Sequence, residues 1–193
     1  MIDARIAGLD VASDVTSLET DRLTLRRHVL ADFDESAAMW ADPIVTRHIG
    51  GRPFTREEVW TKLLRYVGHW QLLGFGYWVV REKSSRDFVG EVGFADFKRE
   101  MVPSLEGMAE IGWVLASRAH GKGYATEAVR AAIAWCDERL CGARTACIID
   151  PDNALSIRVA RKCGYDEKLR TTYKGSDVIL YERAGGQRDE RAV

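Results

Sequence analysis

The run Arg118, Ala119, His120, Gly121, Lys122, Gly123, Tyr124, Ala125, Thr126 lies where an apolar stretch ends and a helical pattern begins. The first amides of a helix have no internal partners, and that end carries partial positive charge. Gly121 and Gly123 remove side chains that would hold a ligand off the main chain. A diphosphate can therefore lie across the amides of roughly His120 to Thr126. The spacing does not choose the ligand. Gly121-Lys122-Gly123 lacks the P-loop pattern. It partly matches a dinucleotide fingerprint, with Asp150 as a ribose-binding acid, but Thr126 stands where the third Gly or Ala belongs. Cys136, Cys141, Cys147 and Cys163 form no C-x-x-C pair, and no histidine has zinc spacing, so no metal site is predicted. Cys136, Cys147 and Cys163 fall on core faces and read as reduced structural thiols.

The elements that must position this run are legible in the patterning. Leu23 to Arg26 alternates as a strand. Asp32 with Glu35, and Thr55 with Glu58, have capping-box spacing and open two helices. Phe33, Ala37 and Trp40 mark the first helix; Val59, Leu63, Val67 and Trp70 mark the buried face of the second. Three strands follow, Tyr77 to Arg81, Phe88 to Phe94 and Ala109 to Leu115, the first two joined by a short polar hairpin. The main helix spans about Ala125 to Glu138, with its apolar stripe on Ala125, Ala128, Val129, Ala132, Ile133 and Cys136. Thr145 to Ile149 is a strand, Ala154 to Cys163 a helix capped by Gly164, and a hairpin turns at Lys174-Gly175. The strands at 109–115 and 145–149 flank a helix and should be parallel. The reading is an α/β (α+β) fold: one domain over residues 17–184, a mixed, mostly antiparallel sheet, and about four helices. The ends, 1–16 and 185–193, read as flexible extensions.

Two spaced motifs resemble one family. Arg118-x-x-Gly121-x-Gly123 resembles the acetyl-CoA diphosphate loop of the GNAT superfamily. Asn153, Ser156, Arg158, Val159, Lys162, Gly164 and Tyr165 resemble that family's N-x-x-S-x-R-V-x-x-K-x-G-[FY] element. Leu18 to Arg26, Ile49 to Thr55, Val89 to Gly93 and Ala109 to Leu115 resemble the branch that includes the ribosomal-protein alanine N-acetyltransferases.

The resemblance implies that the two parallel strands splay and hold the pantetheine arm between them. Backbone groups of Trp113, Val114 and Leu115 would pair with its amides, and Asn153 would bond to it. Arg118, His120, Gly121, Lys122, Gly123, Tyr124, Ala125 and Thr126 would cradle the diphosphate. The implied reaction is direct attack of a neutral amine on the thioester carbon, with a carboxylate taking a proton. Glu110 is the first candidate base, Glu91 the second and Asp96 the third. Many members carry a tyrosine, as acid toward the leaving thiolate, where this chain has Ala160. Ser156 is the substitute donor, or a cofactor contact. Trp40, Trp60 or Trp70 can line an acceptor pocket.

The cosubstrate expected is acetyl-CoA, without a metal, and the acceptor an amine on a peptide N-terminus or a small molecule. A non-catalytic acyl-CoA-binding module is the alternative, with a dinucleotide enzyme third. Lys+Arg at 28 against Asp+Glu at 29 offers no basic stripe for nucleic acid. No apolar run is long enough to span a membrane, and the acidic N-terminus lacks a secretory layout, which points to the cytoplasm. The oligomeric state stays open, a homodimer included.

Overall fold

The computed structural model describes residues 17–140 and 142–185. Cys141, the N-terminal stretch 1–16 and the tail 186–193 lie outside the described residues. The elements run β1 (Leu18–Glu19), β2 (Leu23–Arg27), α1 (Phe33–Trp40), α2 (Pro43–Thr46), α3 (Arg56–Leu73), β3 (Tyr77–Glu82), β4 (Phe88–Ala95), β5 (Ala109–Leu115), α4 (Tyr124–Arg139), β6 (Thr145–Ile149), α5 (Ala154–Lys162), β7 (Asp166–Tyr173) and β8 (Ser176–Arg183). The strands form one sheet in the order β1-β2-β3-β4-β5-β6-β8-β7. Every adjacent pair is antiparallel except β5 and β6. This is the expected α/β architecture, with a one-turn α2 added to the four expected helices.

Alternation along the strands sorts side chains onto two faces. Leu23, Leu25, Trp78, Val80, Val92, Ile111, Leu115, Cys147 and Ile149 pack with α4 in the main core. The expected α4 stripe is there: Ala128, Val129, Ala132, Ile133 and Cys136 are buried, with Ala125 against them. The opposite face carries α1 and α3, through Trp40, Val59, Val79 and Phe88. Farther along it, Met101, Leu105 and Met108 from the loop after β4 cover Ala146, Ile148 and Leu180.

Thr55 and Glu58 make a reciprocal capping box at α3. The second box does not form. Asp32 makes no side-chain cap bond. It is buried, accepting from the Val29 N–H at 2.9 Å and from Arg26 and Arg81, while Glu35 pairs with Arg81. Two guanidiniums, from β2 and β3, claim carboxylates that would otherwise cap. On α3 the buried stripe is Val59, Leu63, Tyr66 and Trp70, and Val67 is 49% exposed. Two successive steps of four residues roll a side chain about 80° around the helix, whereas alternating steps of four and three keep the stripe in line. At α5 the Gly164 N–H bonds to Arg161 O and the Tyr165 N–H to Ala160 O, a Schellman ending. Lys174 and Gly175, both with positive φ, close the β7–β8 hairpin.

Candidate active site

The parallel ladder is short. Ala109 faces Thr145 and Glu110 faces Ala146, and no later residue of β5 pairs with β6. Beyond Glu110 the strands diverge, which leaves backbone groups of Ile111 to Leu115 on that edge without ladder partners. A sheet interior cannot leave such a row unmet without water or a ligand. Trp113, Val114 and Leu115 border the gap, with Trp113 and Val114 partly exposed.

At its open end stands the N-terminus of α4. The first helical bond joins the Glu127 N–H to Gly123 O, so the amides of Tyr124, Ala125 and Thr126 precede it and point outward. Gly121 and Gly123 hold φ of 75° and 80°. Nearby groups have partners other than these amides. Arg118 donates to Phe88 O at 2.8 Å, and His120 Nε2 meets Leu115 O at 2.9 Å. The Lys122 carbonyl accepts from Arg22 at 3.0 Å, and the Tyr124 hydroxyl donates to Glu82. Arg22 also pairs with Glu127 at 2.6 Å, neutralising the one acid in the first turn of α4. Its guanidinium lies beside Gly123. Sequence reading placed Arg22 only in the opening strand; nothing local ties it to a loop so distant in the chain.

Asn153 caps α5, its Oδ1 accepting the Ser156 N–H at 3.0 Å. That leaves the Asn153 amide NH2 as its donor. Ser156 is partly exposed in the first turn of α5. Ala160 is fully buried in the core.

The candidate carboxylates have different surroundings. Glu91 is 1% exposed. It accepts from Ser36 Oγ at 2.5 Å, Trp40 Nε1 at 3.1 Å and Tyr66 Oη at 3.2 Å, with His28 Nε2 at 3.5 Å. Burial pushes this carboxyl up, but His28, Ser36 and Trp40 outweigh it and hold it below the ordinary carboxylate value. Glu110 lies at the point of divergence, buried and gripped by Arg99. Burial pushes its carboxyl up, against the pull of Arg99. A cavity of about 190 Å³ opens beside it, lined by Phe97, Arg99, Leu105, Met108 and Glu110 among others. Asp96 also lines this cavity, paired with Lys98 at 2.6 Å.

Trp40 and Trp70 are core residues at 2% and 4% exposure, whereas Trp60 is partly exposed, edge-on to Phe33. The Ser117 hydroxyl donates to Asp42 at 2.6 Å, and His48 Nδ1 meets Asp150 at 3.0 Å. The segment around α2 thus clasps the end of β5 to the end of β6 across the open mouth. Neither contact is legible from local residue spacing. Cys136, Cys147 and Cys163 are buried free thiols, and burial pushes Cys136 up to about 12. Among the described residues, no group of three or more His, Cys, Asp or Glu side chains comes together as a metal site, and no helix is long and apolar enough to cross a membrane.

The family comparison assigns a class, the acyltransferases, to this mixed sheet whose single parallel pair parts beside an open helix N-terminus. Residues 22–166 match the profile described as an acetyltransferase (GNAT) domain, and the chain belongs to that family. It is similar to the uncharacterized protein YkkB of Bacillus subtilis (strain 168), 33% identical over 177 residues, 87% of this chain and 95% of YkkB. A structure from Bordetella pertussis assigned to the GnaT-family acetyltransferases is 30% identical, with a TM-score of 0.77, over 87% of this chain and 99% of that one. RimL, a ribosomal L7/L12 alpha-N-protein acetyltransferase in complex with coenzyme A, shares the fold at 16% identity. Its TM-score is 0.69, over 86% of this chain and 95% of that one.

Proposed function

We propose that the protein is an N-acetyltransferase that moves an acetyl group from acetyl-CoA to a primary amine, on a peptide N-terminus or a small molecule, within a ternary complex. The observation that carries this is the ladder that ends after Glu110, next to the unpartnered amides of Tyr124 to Thr126. A long, thin, amide-bearing molecule with a diphosphate at one end meets both demands. The amides from about Gly121 to Thr126 would take the diphosphate, with Arg118, His120 and Lys122 around it. Trp113, Val114, Leu115 and the Asn153 amide would take the arm, and Ser156 would stand beside the sulfur as a contact and donor.

The amine enters through the cavity beside Glu110, which takes its proton directly or through water. Glu91 is the weaker candidate base, since it is sealed in the core and its carboxyl is held below the ordinary value, whereas Glu110 lines the cavity and is pushed up. Holding amine and thioester together supplies much of the remaining rate. One observation favours a second reading, a non-catalytic acyl-CoA-binding module: Arg99 occupies both oxygens of Glu110. Calorimetry with acetyl-CoA tests the binding half of the proposal; thiol release across a panel of peptides, polyamines and amino acids tests the catalytic half. Binding without turnover in any acceptor supports the module, and no binding at millimolar acetyl-CoA removes both readings.

A further inference from the structure

Tyr77 of β3 faces Gly93 of β4, which faces Gly112 of β5. The Tyr77 ring stacks on Tyr66 of α3, with centroids 4.5 Å apart and planes 9° apart. Its side chain reaches across to β5, so that a Cβ built on Gly112 would overlap the Tyr77 hydroxyl oxygen. Gly112 is the first residue past the divergence on the face that Glu110 occupies, two positions along the strand. The tyrosine is 6% exposed. Its hydroxyl hydrogen-bonds to no described residue, and it is not sealed in the core as the Tyr181 hydroxyl is. A largely buried hydroxyl that reaches open space beside a reacting centre, with no protein partner, calls for a ligand atom.

We propose that the Tyr77 hydroxyl donates a hydrogen bond to the sulfur of the acyl-CoA thioester and stabilises the thiolate as the C–S bond breaks. This rests on the acyl-CoA reading above. The nitrogen lone pair forms the C–N bond, the C–S pair moves onto sulfur, Glu110 takes the proton from nitrogen, and CoA leaves as a thiolate. Tyr77 keeps its proton throughout: burial, then the nearby Glu110 carboxylate, push its hydroxyl far above the ordinary tyrosine value. The attacking nitrogen needs an acceptor, which Glu110 supplies; the departing sulfur, with several lone pairs, can accept from Tyr77 as well as from Ser156, while Ala160 offers it no donor.

The deciding measurement, a thiol titration, needs no acceptor; the kcat comparison uses one good acceptor amine. The thiol of bound CoA is titrated by its ultraviolet thiolate absorbance in wild type and Tyr77→Phe, with the desulfo-CoA complex as blank. Tyr77→Phe is expected to raise the bound-thiol pKa and to lower kcat about tenfold, leaving the desulfo-CoA Kd and the melting temperature unchanged. Gly112→Ala, whose Cβ displaces the hydroxyl, should act through the same group, so the two substitutions should be non-additive. CoA binding with the same thiol pKa in both proteins overturns this inference alone. Failure of wild type to bind CoA overturns the acyl-CoA reading, and the inference with it.

Discussion

Arg99 grips both carboxylate oxygens of Glu110, with Nε 2.6 Å from Oε2 and Nη2 2.7 Å from Oε1. The guanidinium is itself held over the rings of Phe97 and Tyr173, each 4.7 Å away. Arg99 pulls the Glu110 carboxyl down against the upward push of burial. Removing it with Arg99→Met leaves the push of burial and Asp96 opposed by the weaker pull of Arg65, so the acidic limb of the kcat/KM profile should move to higher pH. Glu110→Gln should lower kcat/KM by about 100-fold. A pH–rate profile of each variant with one good acceptor checks both; an unmoved limb in Arg99→Met would separate Glu110 from proton abstraction.

Glu91→Gln should behave differently. Whichever way the amide turns, its NH2 faces either His28 and Ser36 or the indole N–H of Trp40 and Tyr66. We expect a loss of about 2–4 kcal/mol in stability, read from urea unfolding. Turnover per folded molecule should stay within about threefold of wild type, a factor small beside the 100-fold or more of a lost base.

Asp32 sets an acid limit. Burial pushes its carboxyl up, but Arg26, the Val29 N–H and Arg81 more than offset this and leave it at about 2. Its folded value lies below its unfolded one, so the stabilisation is full above about pH 4 and fades as pH falls toward 2. The size is about 2 kcal/mol. Asp32→Asn should be clearly less stable than wild type at pH 6, and the gap should narrow by pH 3 in urea titrations.

Gly121→Ala and Gly123→Ala each force an L residue into positive φ, at a cost of about 1–2 kcal/mol. At Gly121 nothing lies within 4 Å of an added Cβ, so the methyl intrudes only on the space above the amides. We expect CoA to bind at least about tenfold more weakly, or 1.4 kcal/mol. Gly51→Ala is the control, with φ 70° and equally open surroundings far from α4 in sequence. It should carry the same strain and leave CoA affinity unchanged by calorimetry.

Much of this was legible from residue patterns because most elements are locally determined. The α4 stripe, the Thr55–Glu58 box and the Lys174-Gly175 turn each need only a few neighbouring residues. What the patterns missed depends on distant partners. Asp32 reads as a cap until β2 and β3 bring Arg26 and Arg81 to it. Val67 fits a four-residue step, but Tyr66 lies nearer the true buried face. His48 meets Asp150, and Tyr77 meets Gly112, only once the sheet has assembled, and no local spacing encodes either. The proposed diphosphate loop rests on consecutive amides, which local spacing can place. The proposed reaction centre gathers single side chains from β3, β5 and the loop after β4, which local spacing cannot bring together.

The parted strands also divide the molecule mechanically. β1 to β5 form one slab and β6 to β8 another. Within the sheet they are riveted only where Ala109 and Glu110 meet Thr145 and Ala146. Outside the sheet, α4 packs across both slabs, and the Ser117–Asp42 and His48–Asp150 contacts fasten them at the mouth. Whatever fills the space between completes the seam, so occupancy and rigidity become one equilibrium. A ligand at 100 times its Kd would add about 2.7 kcal/mol to the resistance of the two slabs to separation. Amide exchange along Ile111 to Leu115 should slow first.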